Sequence, residues 1–303
     1  MRYPDKLKKG DTVGLICTSS CVSEERISQC VETIEKLGYK VKVADNVTTD
    51  LAGYMAGDAV VRARWVNRMF ECPDVKAIFC IRGGDGSSRI MEHLDYDVIR
   101  NNPKIFVGYS DVTNLHLAIN QNCDLVTSHG PMVSSNMVDS FDEESKDSFF
   151  EAINAESDIV FRNPEVIPVK VLKEGKAEGI LVGGNLSLLS ASMGTPYEPD
   201  TDGKILFIEE VADPITKIEK WIYHLRNAGK LAGCSGILLG QFTKIKNDDE
   251  NYDYISCIKD ALEGISIPVM YDIQSGHGKQ IMTLPMGAKC KMDTSSCSIV
   301  FKR

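Results

Sequence analysis

Lys104-Ile105-Phe106-Val107-Gly108-Tyr109-Ser110-Asp111-Val112-Thr113 is the stretch that decides how the rest of the chain is read. Ile105, Phe106 and Val107 are β-branched or aromatic and suit a buried strand, and Gly108 permits a tight turn directly after them. From Asp111 to Asn120 the pattern reads as a helix. A strand, a sharp turn and a helix lift the Ser110 hydroxyl to the carboxyl end of a sheet, where open α/β folds place their chemistry. The first turn of the helix adds backbone N–H donors and a partial positive charge, which suits an anionic intermediate. Serine is also a preferred helix N-cap, so the local pattern by itself fits both a nucleophile and an ordinary cap.

Upstream, Thr12-Val13-Gly14-Leu15-Ile16-Cys17 is an apolar run followed by Thr18-Ser19-Ser20, a buried strand leading into a helix near Ser23 to Leu37. Ile27, Val31, Ile34 and Leu37 share one face of that helix, and Gly38 ends it. Tyr39 to Val43 alternates as a second strand. Ala59 to Phe70 carries helical spacing, and Val75 to Ile81 is a third buried strand running into Arg82-Gly83-Gly84-Asp85-Gly86. With the strand before Ser110 this gives a βαβαβαβ series, which predicts an α/β fold with a parallel sheet and helices on both faces.

Beyond Leu125 to Pro131 the pattern loosens. Residues 136–168 hold an acidic helical stretch, Phe141 to Ala155, and a polar connection, so they read as a linker between an N-terminal domain, 1–135, and a C-terminal domain, 169–303. The second half is richer in short strands, at Pro168 to Leu172, Ala177 to Val182, Lys204 to Ile208 and Gly236 to Leu239, with one amphipathic helix near Asp213 to Asn227.

A chain of 303 residues exceeds the usual single core, in keeping with two domains. The net charge of -9, with no clustered Lys/Arg stripe to offset it, opposes binding to phosphate backbones, so no nucleic-acid partner is expected. Met1 to Gly10 has no apolar run behind its charges, and no stretch reaches the roughly 18 apolar residues of a membrane span. A cytoplasmic protein with no membrane partner is the expectation. The ten cysteines form no C-x-x-C pair and sit mostly among apolar residues, as in Ala77-Ile78-Phe79-Cys80-Ile81. They read as reduced core residues of an intracellular protein, and nothing in the sequence calls for a metal or another cofactor.

A serine nucleophile needs a base, and the base needs a group to orient it. Of five histidines, His93, His116 and His224 lie on helical or surface-like patterns and read as structural. His129 ends a strand and is a candidate to line the cleft. His277 stands in Gln274-Ser275-Gly276-His277-Gly278-Lys279, where flanking glycines let a loop side chain project into a crevice. Glu209 and Glu210 directly follow the apolar strand Lys204 to Ile208, and neighbours on a strand face opposite ways, so one of the two faces the cleft. The glycine-rich turn after Arg82 offers N–H donors, and those near Gly84 and at Asp111 suit a two-donor oxyanion hole. Arg82 is suited to meet a substrate carboxylate or to pair with Asp85.

These motifs recur in one order along nearly the whole chain. They run from Gly10-Asp11-Thr12-Val13 through Met55-Ala56-Gly57-Asp58, Arg62-Ala63, Ile81-Arg82-Gly83-Gly84 and Gly108-Tyr109-Ser110-Asp111. They continue with His129-Gly130-Pro131, Gly183-Gly184-Asn185-Leu186-Ser187, Phe207-Ile208-Glu209-Glu210, Gly276-His277-Gly278 and Leu284-Pro285-Met286-Gly287. In this the chain resembles the serine LD-carboxypeptidase family, also called muramoyltetrapeptide carboxypeptidases. The resemblance implies a flavodoxin- or amidotransferase-like N-terminal α/β domain and a C-terminal swivelling β/β/α-like domain. It places a Ser-Glu-His triad on Ser110, Glu209 and His277. It also implies removal of the terminal D-alanine from murein tetrapeptides during cytoplasmic cell-wall recycling, by a protein that is often a homodimer. A related branch hydrolyses a nucleotide-peptide antibiotic as a self-immunity protein and generally lacks Arg-Gly-Gly, so Arg82-Gly83-Gly84 leans this chain toward murein. A third reading is a non-catalytic module that binds murein peptides. Where the family commonly has tyrosine after Arg-Gly-Gly this chain has Asp85, whose charge opposes an anionic substrate.

Overall fold

The computed structural model describes residues 1–247, 249 and 251–303, and the chain divides into two units. In the first, the apolar runs of the sequence become parallel strands. Thr12–Ile16 (β1) leads to helix Glu24–Lys36 (α1), strand Lys40–Val43 (β2), helix Ala59–Glu71 (α2) and strand Val75–Cys80 (β3). Ile105–Gly108 (β4), helix Thr113–Cys123 (α3), strand Thr127–His129 (β5) and helix Glu143–Asn154 (α4) follow. The sheet order is β2-β1-β3-β4-β5, with Leu284–Met286 at the edge beside β5, and β1 to β5 pair in parallel. This is the flavodoxin order, whose topological switch lies between β1 and β3. The loops after β1 and β3, residues 17–20 and 81–87, therefore flank the crevice where such sheets bind ligands, with Ser110 following the next strand. Ser23 and Asp58 cap α1 and α2 by accepting from the N–H groups of Arg26 and Val61, which fixes where both helices begin.

The second unit holds Ile159–Val160 (β6), Lys170–Lys173 (β7), Lys176–Asn185 (β8), helix Leu186–Ala191 (α5), Ile205–Val211 (β9) and helix Ile215–Asn227 (α6). Gly236–Thr243 (β10), helix Tyr254–Ala261 (α7), Val269–Tyr271 (β11), Lys289–Asp293 (β12) and Ser298–Lys302 (β13) complete it. Its eight strands run in the order β6-β13-β12-β8-β9-β10-β11-β7. The long β8 joins two kinds of pairing, since Lys176 to Ile180 run antiparallel to β12 while Leu181 to Asn185 run parallel to β9. Strands β9, β10 and β11 are mutually parallel, so the residues after each emerge at one carboxyl edge.

Residues 136–168 do not form the expected linker. Helix α4 belongs to the first unit, where Phe149 is wholly buried with its ring edge-on to Phe79 at 5.5 Å between centroids. Ile159 is already in the second sheet, and the division falls after Glu156. The acidic surface of α4 masks an apolar face of Phe149, Ala152 and Ile153, and that face decides where the helix packs. The C-terminal part is also interrupted, because Thr283–Pro285 belong to the first unit. Among the described residues no helix is long and apolar enough to cross a membrane.

Candidate active site

Strand β4 ends at Gly108, Tyr109 is extended, and Ser110 takes a φ of +64°. A non-glycine residue in this left-handed region stores about 1–3 kcal/mol, and such strain is held only where the surroundings enforce it. Ser110–Val112 form a 3₁₀ turn before α3 begins at Thr113, so the α-helix starts two residues later than the sequence pattern predicts.

Two buried groups hold this elbow. The first is His116 on α3, whose Nε2 lies 2.8 Å from the Gly108 carbonyl and whose Nδ1 lies 2.8 Å from Thr127 Oγ1. A carbonyl only accepts, so Nε2 carries the proton and Nδ1 accepts from the threonine hydroxyl. Burial lowers the His116 pKa to about 3 and keeps the ring neutral in this role. The second is Asp111, whose buried Oδ2 accepts from Ser19 Oγ at 2.5 Å and from the Ser87 N–H at 2.8 Å. Ser87 Oγ in turn donates to the Asp111 carbonyl at 2.6 Å, and Asn114 Nδ2 donates to Ser87 Oγ at 2.9 Å. Burial pushes the Asp111 carboxyl pKa up, against the bonds from Ser19 and Ser87 that favour its ionised form.

Arg62 completes the support from α2. Its guanidinium is almost wholly buried and donates to the carbonyls of Gly57 at 3.1 Å, Thr18 at 2.5 Å and Gly86 at 2.9 Å. The loops after β1 and β3 are thus tied together by Arg62 and tied to the elbow by Asp111. Sequence reasoning used only the Asp111 N–H and gave Arg62 no role. The signal was present, since Arg62 shares the inward face of α2 with Ala63, Val66, Met69 and Phe70, where an arginine must find buried partners.

The glycine turn passes against the serine. A Cβ at Gly83 would sit 3.2 Å from Ser110 Cβ and 3.3 Å from Ser110 Oγ, and one at Gly84, where φ is +120°, would sit 2.0 Å from Ser20 Oγ. Gly83→Ala is predicted to lower kcat about 10- to 100-fold by displacing the hydroxyl, with only a few degrees' loss of Tm. Steady-state assay beside thermal melting checks this, and unaltered kcat would show that the close approach is not needed. Arg82 is exposed and donates to the Cys21 carbonyl at 3.4 Å, and among the described residues it forms no ion pair with Asp85, which is also exposed. His129 ends β5. It is fully buried, with its ring 5.8 Å from Tyr109 and 6.2 Å from His116, and so packs beneath the elbow.

In the second unit Glu209 and Glu210 diverge as strand geometry requires. The register of β9 against β10 shifts between Ile208 and Glu210, a bulge that re-aims Glu209. Glu209 is wholly buried, and its Oε2 lies 2.7 Å from His277 Nδ1. Glu210 is committed elsewhere, accepting from Asn185 Nδ2 at 2.9 Å, the Ser187 N–H at 2.7 Å and its neighbour Val211 N–H at 2.9 Å. Burial disfavours the His277 imidazolium, but the charge and hydrogen bond of Glu209 more than offset this, and the pKa rises above 6.5. With Nδ1 directed at Glu209, proton exchange with a reacting group falls to Nε2.

The chain matches known proteins along its length. Residues 13–130 match the LD-carboxypeptidase N-terminal domain and residues 178–292 the LD-carboxypeptidase C-terminal domain. It is 37% identical to the probable murein peptide carboxypeptidase of Bacillus subtilis (strain 168), over 99% of this chain and 94% of that protein. Its fold is similar to that of the muramoyltetrapeptide carboxypeptidase from Oxalobacter formigenes, at a TM-score of 0.83 and 26% identity, covering 96% of this chain and 97% of that one. The microcin C7 self-immunity protein MccF, in complex with glutamyl sulfamoyl guanosine, gives a TM-score of 0.92 at 26% identity, covering 99% and 98%. Fold and matches together define a peptidase of the carboxypeptidase kind, built from a parallel α/β unit and a mixed-sheet unit. The chain belongs to the LD-carboxypeptidase family.

Proposed function

We propose that this protein is a serine-type LD-carboxypeptidase that removes the C-terminal D-alanine from murein tetrapeptides through an acyl-enzyme. The observation that carries the reading is the pair formed by buried Glu209 and half-buried His277, 2.7 Å apart, in a chain whose serine sits on a strained strand-to-helix turn. His277 Nε2 takes the Ser110 proton as Oγ attacks the carbonyl that precedes the D-residue. Glu209 fixes the imidazole tautomer and stabilises the imidazolium. The N–H groups of Gly84 and Asp111 receive the oxyanion. His277 then passes its proton to the leaving amine, D-alanine departs, and water attacks the Ser110 ester with His277 again as base. No metal or other cofactor enters these steps.

The exposed Arg82 is assigned to the substrate's terminal carboxylate, and Asp85 beside it would favour a substrate carrying a cationic diamino side chain. Action in the cytoplasm, as a homodimer that recycles cell-wall fragments, is the setting this reading implies. The overall likeness to MccF favours a second reading, hydrolysis of an aminoacyl-nucleotide antibiotic in self-immunity, and Arg82-Gly83-Gly84 weighs against it.

Defined tetrapeptides ending in D-alanine, assayed beside an aminoacyl-nucleotide analogue, separate these readings. Release of free D-alanine with multiple turnovers is the expected result. Turnover of the nucleotide substrate alone would overturn the murein assignment. Tight binding of tetrapeptide without release would make the protein a binding module.

A further inference from the structure

We infer that Gln241 is the positioning residue that sets the aim of His277, an inference that rests on the triad reading above and explains how a loop can present a catalytic base. His277 lies in a stretch without regular secondary structure between β11 and the strand Leu284–Met286. A reacting group must be held to within about half an ångström, and a loop achieves this only if something fixes its backbone. Glu209 holds one edge of the ring. Something must also hold the chain.

Gln241, on β10, does. Its backbone N–H donates to the Ser275 carbonyl at 2.9 Å. Its side-chain Oε1 accepts from the Gly278 N–H at 2.7 Å, and Nε2 donates to Gln274 Oε1 at 2.9 Å and to the Gln280 carbonyl at 3.1 Å. One amide therefore grips the loop on both sides of His277, using both N–H donors and its oxygen. The orientation of the amide is dictated, because the Gly278 N–H only donates and the Gln280 carbonyl only accepts. The loop is moulded to this group so closely that a Cβ at Gly278 would fall 2.0 Å from Gln241 Nε2. Thr243, two residues along β10, adds a bond from its hydroxyl to the His277 carbonyl at 3.4 Å, and the Met282 N–H donates to the Gln274 carbonyl at 2.7 Å, closing the neck of the loop.

Gln241 is itself buried, so a loop that drifted away would leave its amide without partners in a dry site. That cost keeps the loop in place. Sequence gives no hint of this role, because a glutamine at the end of an apolar strand reads as the residue that meets solvent.

Gln241→Leu and the near-isosteric Gln241→Glu test the inference. In the leucine variant kcat is expected to fall about 10- to 100-fold with KM within about 3-fold of wild type, as misplacement of a catalytic group predicts. Hydrogen exchange at the Gly278 amide should accelerate at least about 10-fold as its acceptor is lost. In the glutamate variant the Gly278 bond survives while a carboxylate oxygen meets the Gln280 carbonyl. The added charge near His277 should move the acid limb of the kcat/KM profile upward in pH, and the repulsion at the Gln280 carbonyl should disturb the loop and lower kcat, a loss that a merely structural role would not produce. The clamp is refuted if Gly278 exchange stays at the wild-type rate in Gln241→Leu. The positioning role is refuted if exchange accelerates while kcat remains within about 2-fold of wild type. Should the leucine variant fail to fold, the glutamate variant decides, and an unmoved limb with unchanged kcat overturns the inference. The exchange measurement needs no substrate, so it stands apart from any failure of the triad reading.

Discussion

Ser110→Ala is expected to reduce kcat on a murein tetrapeptide by about 10⁴-fold or more while leaving KM close to its wild-type value. The substitution removes only the attacking oxygen. Alanine carries the same Cβ and bears the same left-handed strain at φ +64°. His116, Asp111 and Arg62 hold the elbow through other atoms, and Tm should shift by a few degrees at most. The loss is thus chemical. Active-site titration with an acylating reagent offers a second reading, since the variant should take up no label. If Ser110→Ala retained a tenth or more of the activity, the nucleophile would have to be sought elsewhere.

The second large effect is expected for Glu209→Gln. Glutamine nearly matches glutamate in shape, yet it can donate to His277 Nδ1. The ring would then hold its proton on Nε2, the tautomer unable to accept from Ser110. A fall in kcat/KM of about 10³- to 10⁴-fold follows. The pH dependence supplies the sign. A general base works when neutral, so with His277 in the proposed role wild-type activity should rise with pH through its pKa, which is raised above 6.5. Without the Glu209 carboxylate, burial and the charge of Lys244, which both lower the pKa, stand against the smaller raising effect of Glu210, so the acid limb of the residual activity should move down in pH. Because Glu209 is wholly buried, its neutral replacement removes a desolvated charge, and at pH 8 the variant should melt no lower than the wild type. An acid limb that stayed in place, or a loss smaller than 10-fold, would remove Glu209 from the mechanism.

How much of this was legible depends on whether local pattern or long-range packing decides. The strands of the first unit and the turn at Ser110 could be read because β-branched runs, glycines and caps are local signals, and the observed strands fall within a residue or two of the expected ones. The positive φ of Ser110 could not be read, since it is imposed by groups from α2, α3 and the loops after β1 and β3. On the residues alone Glu209 and Glu210 were equivalent. What separates them is a bulge in β9 and the engagement of Glu210 with Asn185 and Ser187, and both depend on neighbouring strands. The burial of His129 against Tyr109 is equally illegible, because a strand-end histidine looks the same in sequence whether it meets solvent or the underside of a tyrosine. Helix α4 was assigned to a connection because its charges outnumber the three apolar residues that anchor it.

The return of Thr283–Pro285 to the first unit has a bearing on how the gene can be dissected. Severing the polypeptide after Glu156 would yield an amino-terminal fragment lacking one of its own strands, with the backbone of β5 laid bare along its outer margin. Such naked margins recruit other chains and precipitate. The two halves are interleaved in the genetic text, so neither is obtained whole by a single cut.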